Sequence, residues 1–301
     1  MNYELLVIGN GREAIDGAIV SARQGLRVAL VETKAVSEDA ASIEVLRQAV
    51  NNLAKNGSTS MSELRNEVAR MGRCQRAADR AELERLGIDV CSGDVRFVTA
   101  NTVEVQSDDD VNSIQANNVL VACGTKSARP GHIRFDGRLV VDVELLLMLD
   151  ELPRSMIVVG AGETGLDYAL LLGSLGVDVT VIDEQANVFD VCGGLMDDSR
   201  LFEMQSLDIA FRLGDEVIGV ETRGDDRAAV RLASGKVFLA DAVLVCVGRV
   251  GETDRLNLEA VGVGLDERGR VWCDANGGTW ASHIRAAGDV VGFRATSTLA
   301  G

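Results

Sequence analysis

The sequence predicts an α/β fold of two similar halves, each a parallel strand–helix–strand core with a small antiparallel meander. Three observations predict it. Residues 156–184, MIVVGAGETGLDYALLLGSLGVDVTVIDE, read as an apolar strand, a glycine turn, an apolar-periodic helix and a β-branched strand ending on Asp183. Residues 5–32, LLVIGNGREAIDGAIVSARQGLRVALVE, repeat that sentence: Gly9, Gly11, Gly25 and Glu32 match Gly160, Gly162, Gly176 and Asp183, always 151 residues apart and without gaps. A second echo follows in each half, NNVLVACGT at 117–125 and DAVLVCVGR at 241–249, both buried-type strands running to a glycine. So long an interval marks a duplicated domain and not a solenoid repeat.

The glycines carry a physical reading. The first permits the sharp turn, the second lets backbone approach a pyrophosphate, and the third allows tight packing of helix on strand. The helix start offers unpaired N–H groups and the positive end of a dipole. Asp183, and Glu32 in the first copy, stand where an acid hydrogen-bonds an adenosine ribose. Both halves are therefore Rossmann-like nucleotide-binding units. They imply two nucleotides, or one nucleotide and one relic.

Between the units the pattern is legible element by element. Residues 38–55 and 61–86 have helical periodicity, the latter with Leu64, Val68, Met71 and Leu83 or Leu86 as an apolar stripe and Gly87 at its end. Residues 88–125 alternate apolar and polar, with breaks at Ser92–Gly93, Ala100–Asn101 and the acidic run 108–110, which predicts a meander returning to a buried strand at Val119–Ala122. Segment 126–155 holds both prolines, Pro130 and Pro153, and carries the chain to the second unit. There a helix near 194–206, strands over 207–247 and short strands in 270–293 are expected.

Composition excludes several function classes. The 301 residues suffice for two modest α/β domains. A formal charge of −16 argues against nucleic acid or an anionic membrane as partner, and it suits a cytoplasmic protein. No run approaches the length of a membrane span, and the start lacks a basic n-region. The six cysteines show no CxxC or metal-like spacing, and His132 and His283 are far apart, so neither a disulfide nor a metal site is expected. Cys123 and Cys246, at strand ends, read as buried packing. Cys192 has acids around it (Asp190, Asp197, Asp198), which favours an inert thiol.

In order, the two glycine motifs, VACGTKSARP (121–130), VDVELLLMLDELPR (141–154), GRVGETDRL (248–256) and AAGD (286–289) resemble the FAD- and NAD(P)-dependent pyridine nucleotide oxidoreductases, the family of dihydrolipoamide dehydrogenase and glutathione reductase. Within it the chain is most similar to the soluble pyridine nucleotide transhydrogenases, over essentially its whole length. The resemblance implies a discontinuous FAD domain, 1–140 plus 270–301, with a nicotinamide nucleotide domain, 141–269, inserted. It implies that Gly9, Gly11 and Glu32 hold the FAD pyrophosphate and ribose, that Gly124 lies beside the flavin, and that Asp289 binds on the ribityl and phosphate side. Gly160, Gly162, Gly165 and Asp183 would hold the nicotinamide nucleotide, with Gly248 and Arg249 closing over it. Asp183 and Glu184 would repel a 2′-phosphate, favouring NAD(H) over NADP(H). Hydride would pass from NAD(P)H to FAD and on to an unidentified acceptor.

Four departures qualify that expectation. After Glu32 the stretch TKAVSEDAASIEVLRQAV lacks the family's redox-cysteine loop, which excludes disulfide chemistry there. The family lysine near the flavin aligns with Glu44 and its glutamate partner with Asp167, so an ion pair becomes two acids; Glu44 is expected to turn to solvent. In the first motif the third glycine is Ala14, and Glu13 and Asp16 stand where small residues admit phosphate. A carboxylate about 4 Å from a phosphate costs on the order of 4 kcal/mol at an effective dielectric near 20. Finally, the sequence stops at Gly301, so the family's C-terminal dimer domain is absent from it, as in a fragment or a truncated relative. Two readings follow: a transhydrogenase-like flavoenzyme, or a non-catalytic relative that binds a nucleotide or serves as scaffold.

Overall fold

A computed structural model describes residues 2–33, 42–56, 60–107, 110–187, 198–224 and 226–295. In chain order the elements are β1 (Asn2–Ile8), α1 (Arg12–Arg23), β2 (Val28–Thr33), α2 (Ile43–Asn56), α3 (Met61–Arg85), β3 (Asp89–Thr99), β4 (Thr102–Gln106) and β5 (Val111–Val121). There follow β6 (Thr125–Ser127), β7 (Val140–Val141), β8 (Ser155–Val159), α4 (Glu163–Ser174), β9 (Asp178–Asp183) and α5 (Asp198–Ser206). Then come β10 (Ala210–Leu213), β11 (Val217–Arg223), β12 (Arg227–Leu232), β13 (Val237–Ala240) and β14 (Ala242–Val245). The last are β15 (Arg249–Gly251), β16 (Val271–Asp274), β17 (Ile284–Ala286) and β18 (Val291–Ala295).

The chain forms two compact units. The first comprises 1–38, 75–126 and 249–301; the second comprises 39–74 and 127–248. In the first, β1 pairs in parallel with β2 and β5, β2 with the start of β3, and β5 with β17. The second half of β3 turns antiparallel to β4, and β4 to β5, making the meander. In the second unit the parallel order is β10-β9-β8-β14-β7, and β11–β13 form a separate antiparallel meander. Both units are thus α/β with a largely parallel sheet, and where strands are covered on both faces, as at Val28–Val31, Met156–Val159 and Ala242–Val245, they are continuously apolar.

The division falls at 126/127 and 248/249, not at 140/141 and 269/270, and it gives 39–74 to the second unit. Packing supplies the reason. Leu46, Ala49, Val50, Met61, Leu64 and Val68 of α2 and α3 share one buried cluster with Leu166, Tyr168, Leu172 and Leu175. Leu256, Leu258 and Val263 instead enter the first unit's cluster beside Phe97, whose N–H donates to the Leu256 carbonyl at 2.9 Å. The apolar stripe of α3 is consequently split: Leu64 and Val68 belong to the second unit's core, while Leu83 is buried in the first with Leu86 against it. The expected break at Ser92–Gly93 is no turn. There β3 runs on and changes partner, from β2 through Gly93 to β4 from Asp94.

Cys123 and Cys246 are buried; Cys192 and the stretch 34–41 lie outside the described residues. Among the described residues no helix is long and apolar enough to cross a membrane.

Candidate functional site

The two glycine turns are built alike, bond for bond. In the first, the Gly9 N–H donates to Val31 O at 2.9 Å and the Ala122 N–H to Ile8 O at 2.8 Å; in the second, Gly160 donates to Ile182 O at 2.8 Å and Cys246 to Val159 O at 2.7 Å. Each first glycine lies at positive φ, +146° for Gly9 and +106° for Gly160. A Cβ there would overlap the carbonyl oxygen of Ala122 or of Cys246, so the backbone of the neighbouring strand reserves the position for glycine. Gly11 and Gly162 are the N-caps of α1 and α4, both extended and neither receiving a side-chain cap. Their helix starts therefore present unfilled N–H groups, the feature an anion would use.

The copies differ in what surrounds that opening. Among the described residues, nothing lies within 4 Å of where a Cβ on Gly162 would stand. The same point on Gly11 is 3.5 Å from Oε2 of Glu13. The Glu13 chain also runs along the Gly288 backbone, where a Cβ would be 2.8 Å from its Cγ and 3.1 Å from its Cδ. Position for position, Glu13 corresponds to Thr164. At the third glycine, a Cβ on Gly165 would overlap the Gly160 carbonyl oxygen, whereas the first copy carries a real Cβ in Ala14, fully buried. That turn and helix are spaced to admit a methyl.

The acids at the strand ends are also placed differently. Asp183 accepts from the Ala161 N–H at 2.6 Å and the Gln185 N–H at 2.8 Å, so its carboxylate braces the glycine turn from the side. Glu32 accepts from the Ser92 hydroxyl at 3.1 Å on the adjoining strand. Gly124 and Gly248 lie three residues past the ends of β5 and β14, at positive φ, +74° and +120°. Asp289 is exposed in the short turn after β17. Arg249, expected to close over the nicotinamide nucleotide, belongs to the first unit and donates to the Thr125 hydroxyl at 2.7 Å and carbonyl at 2.5 Å. Its guanidinium is engaged with the CGT end of the strand echo, a pairing that the two matching motifs could have suggested.

Of three expectations about charge, two change and one holds. Asp16 is paired with Arg12, which also reaches Asp79 at 2.9 Å, so Asp16 is not a bare anion beside the turn; Glu13 alone takes that place. Glu44 is indeed turned to solvent. Asp167, however, is no orphaned acid: Arg47, one turn beyond Glu44 on α2, reaches it at 2.9 Å, and Arg200 of α5 at 2.5 Å. Two guanidinium groups, one from α2 and one from α5, thus share this carboxylate. Next to Gly124, burial and then Glu252 push the Cys123 thiol up to about 12, which leaves it protonated and unreactive at neutral pH.

Comparison with known proteins agrees with this geometry. Residues 3–300 match the family model described as pyridine nucleotide-disulphide oxidoreductase. The soluble pyridine nucleotide transhydrogenase of Mycobacterium bovis is 33% identical over 314 aligned residues, covering 97% of this chain and 67% of that protein. The enzyme of the same name from Pseudomonas aeruginosa is 29% identical, covering 99% and 68%. Among solved structures, the flavoprotein disulfide reductase RclA of Escherichia coli aligns at a TM-score of 0.82 with 22% identity, over 98% of this chain and 67% of that one. LpdA of Mycobacterium tuberculosis aligns at 0.81 with 24% identity, over 96% and 68%. These two likenesses establish the fold. The chain spans about two-thirds of the length of all four. It belongs to the pyridine nucleotide-disulphide oxidoreductase family and is, by that membership, a flavin-dependent pyridine nucleotide oxidoreductase.

Proposed function

We propose that the chain binds NAD(H) in the second cradle and takes part in transhydrogenase-like hydride transfer without a redox disulfide. The observation that carries this reading is the open backbone at Gly162 on an intact, uncapped helix start. Gly160 and Gly165 shape the turn, and the α4 N–H groups receive the pyrophosphate. Asp183 accepts the adenosine ribose hydroxyls. A 2′-phosphate beside Asp183 and Glu184 would meet two like charges, which favours NAD(H) over NADP(H). Gly248 lies three residues past the end of β14, the strand next to the turn.

The family also implies FAD, and the turn at Gly9, the uncapped helix start at Gly11, Glu32, Gly124 and Asp289 support the first cradle as the place that would hold it. Those residues would hold the dinucleotide, and FAD when bound supplies the two-electron relay between nicotinamide and acceptor. The absence of a cysteine in 33–50 and the high Cys123 thiol support a relay without thiol chemistry in this chain. The acidic charge and the lack of a spanning helix among the described residues support a cytoplasmic protein that acts on small molecules, not on nucleic acid or membrane. A non-catalytic relative is the second reading, and the position of Glu13 over the flavin-type cradle is what favours it.

Titration of the purified protein with NADH, followed by fluorescence, tests the main reading. Binding should disappear in Gly162→Val and persist in Gly11→Val. Equal loss in both would contradict the assignment of NADH to the second cradle. Visible absorbance then separates the two readings: protein that is colourless and stays so after added FAD is the non-catalytic relative.

A further inference from the structure

We propose that Glu13 is a built-in competitor for the first cradle, its carboxylate lying over the α1 helix start between Gly11 and Gly288 and setting how tightly the chain holds the pyrophosphate of FAD. The inference rests on reading that cradle as the dinucleotide site. Two separate contacts define the placement: Oε2 is 3.5 Å from the Cβ position of Gly11, and Cγ and Cδ are 2.8 and 3.1 Å from that of Gly288. The side chain thus bridges the two glycines that would flank the phosphates. Glu13 has no ion-pair partner among the described residues, unlike its neighbours Arg12 and Asp16, which pair with each other. Its negative charge is left to the helix start.

The effect on a phosphate is twofold. A carboxylate in the first turn already satisfies part of the positive end of the helix, so a phosphate gains less there. Until the side chain rotates away, the phosphate also meets a like charge at close range. Glu13 is exposed, so rotation into solvent is open to it, and FAD binds at a cost. The second cradle has no such device. Its counterpart is Thr164, and although Glu163 lies in the first turn of α4, nothing among the described residues comes within 4 Å of the Gly162 position. The duplication is thereby made unequal by one residue.

The experiment compares wild type, Glu13→Gln and Glu13→Ala in the full chain, measuring FAD affinity by quenching of flavin fluorescence. The neutral isostere isolates the charge, and the truncation removes charge and bulk together. Binding should tighten by about tenfold or more in Glu13→Gln and further in Glu13→Ala, up to about a thousandfold, while NADH affinity stays at the wild-type value. Circular dichroism confirms that each variant is folded. Equal, measurable FAD affinity in all three would overturn the role of Glu13 and leave the cradle assignment standing. No FAD binding in any of the three would overturn the cradle assignment and this inference with it.

Discussion

A half-buried acid between two arginines shows how a charge can be compensated from two helices at once. Asp167 draws Arg47 from α2 and Arg200 from α5 onto the same Oδ1. Asp167→Ala should lower unfolding free energy by about 1–3 kcal/mol, because two guanidinium groups lose a shared partner. Glu44→Ala, on an exposed side chain, should stay within about 0.5 kcal/mol of wild type. Urea denaturation of the two variants checks both numbers, and a large effect at Glu44 would mean that it is part of the cluster. That Glu44 and Asp167 are two acids was legible in the sequence, and so was the expectation that Glu44 faces solvent. The pairing of Asp167 with Arg200 was not, because Arg200 lies 33 residues beyond Asp167 and nothing local marks the two as neighbours.

At the scale of elements, the strand–turn–helix–strand unit was the most legible part of the chain. Its first glycines, Gly9 and Gly160, are dictated by the backbone oxygens of Ala122 and Cys246, so the same letter recurs where the same geometry is needed. This gives a paired prediction. Gly165→Ala places a methyl on the Gly160 carbonyl oxygen, and the packed turn cannot yield; a loss of about 1–3 kcal/mol and weaker NADH binding are expected. The reverse change in the other copy, Ala14→Gly, should cost about 1 kcal/mol or less, the ordinary penalty for glycine in a helix. Thermal unfolding and NADH titration of both variants test the asymmetry. The α3 stripe was legible too, but only as a stripe. Periodicity says that a face is buried and is silent about what covers it, which is why Leu64 and Leu83 of one helix could enter different cores unannounced. Likewise Glu13 was conspicuous by its position in the motif, while its contact with Gly288 depends on a chain closure 275 residues away.

For the whole molecule, acid sensitivity follows from how its turns are made. Asp136 accepts from the N–H groups of Arg138, Leu139 and Val140, Asp266 from those of Arg268 and Arg270, and Asp274 from those of Asn276 and Gly278. Burial alone would raise Asp136 and Asp266, but the backbone donors outweigh it, and all three carboxyls lie below their ordinary value. A lowered folded value means stability that is complete above the unfolded value, near 4, and that drains away as pH falls through the lower one. The denaturation midpoint should therefore drop between about pH 5 and 3, and Asp136→Asn and Asp266→Asn should flatten that drop; an unchanged slope would remove these turns as its cause. The interleaving of the units also orders their birth on the ribosome. The second unit has all its strands once residue 245 has emerged, whereas the first must wait for β17 to flank β5 and for Gly288 to arrive beside Glu13. The cradle at Gly160 is finished while the cradle at Gly9 still lacks a wall, so the two glycine turns reach completion at different moments of synthesis.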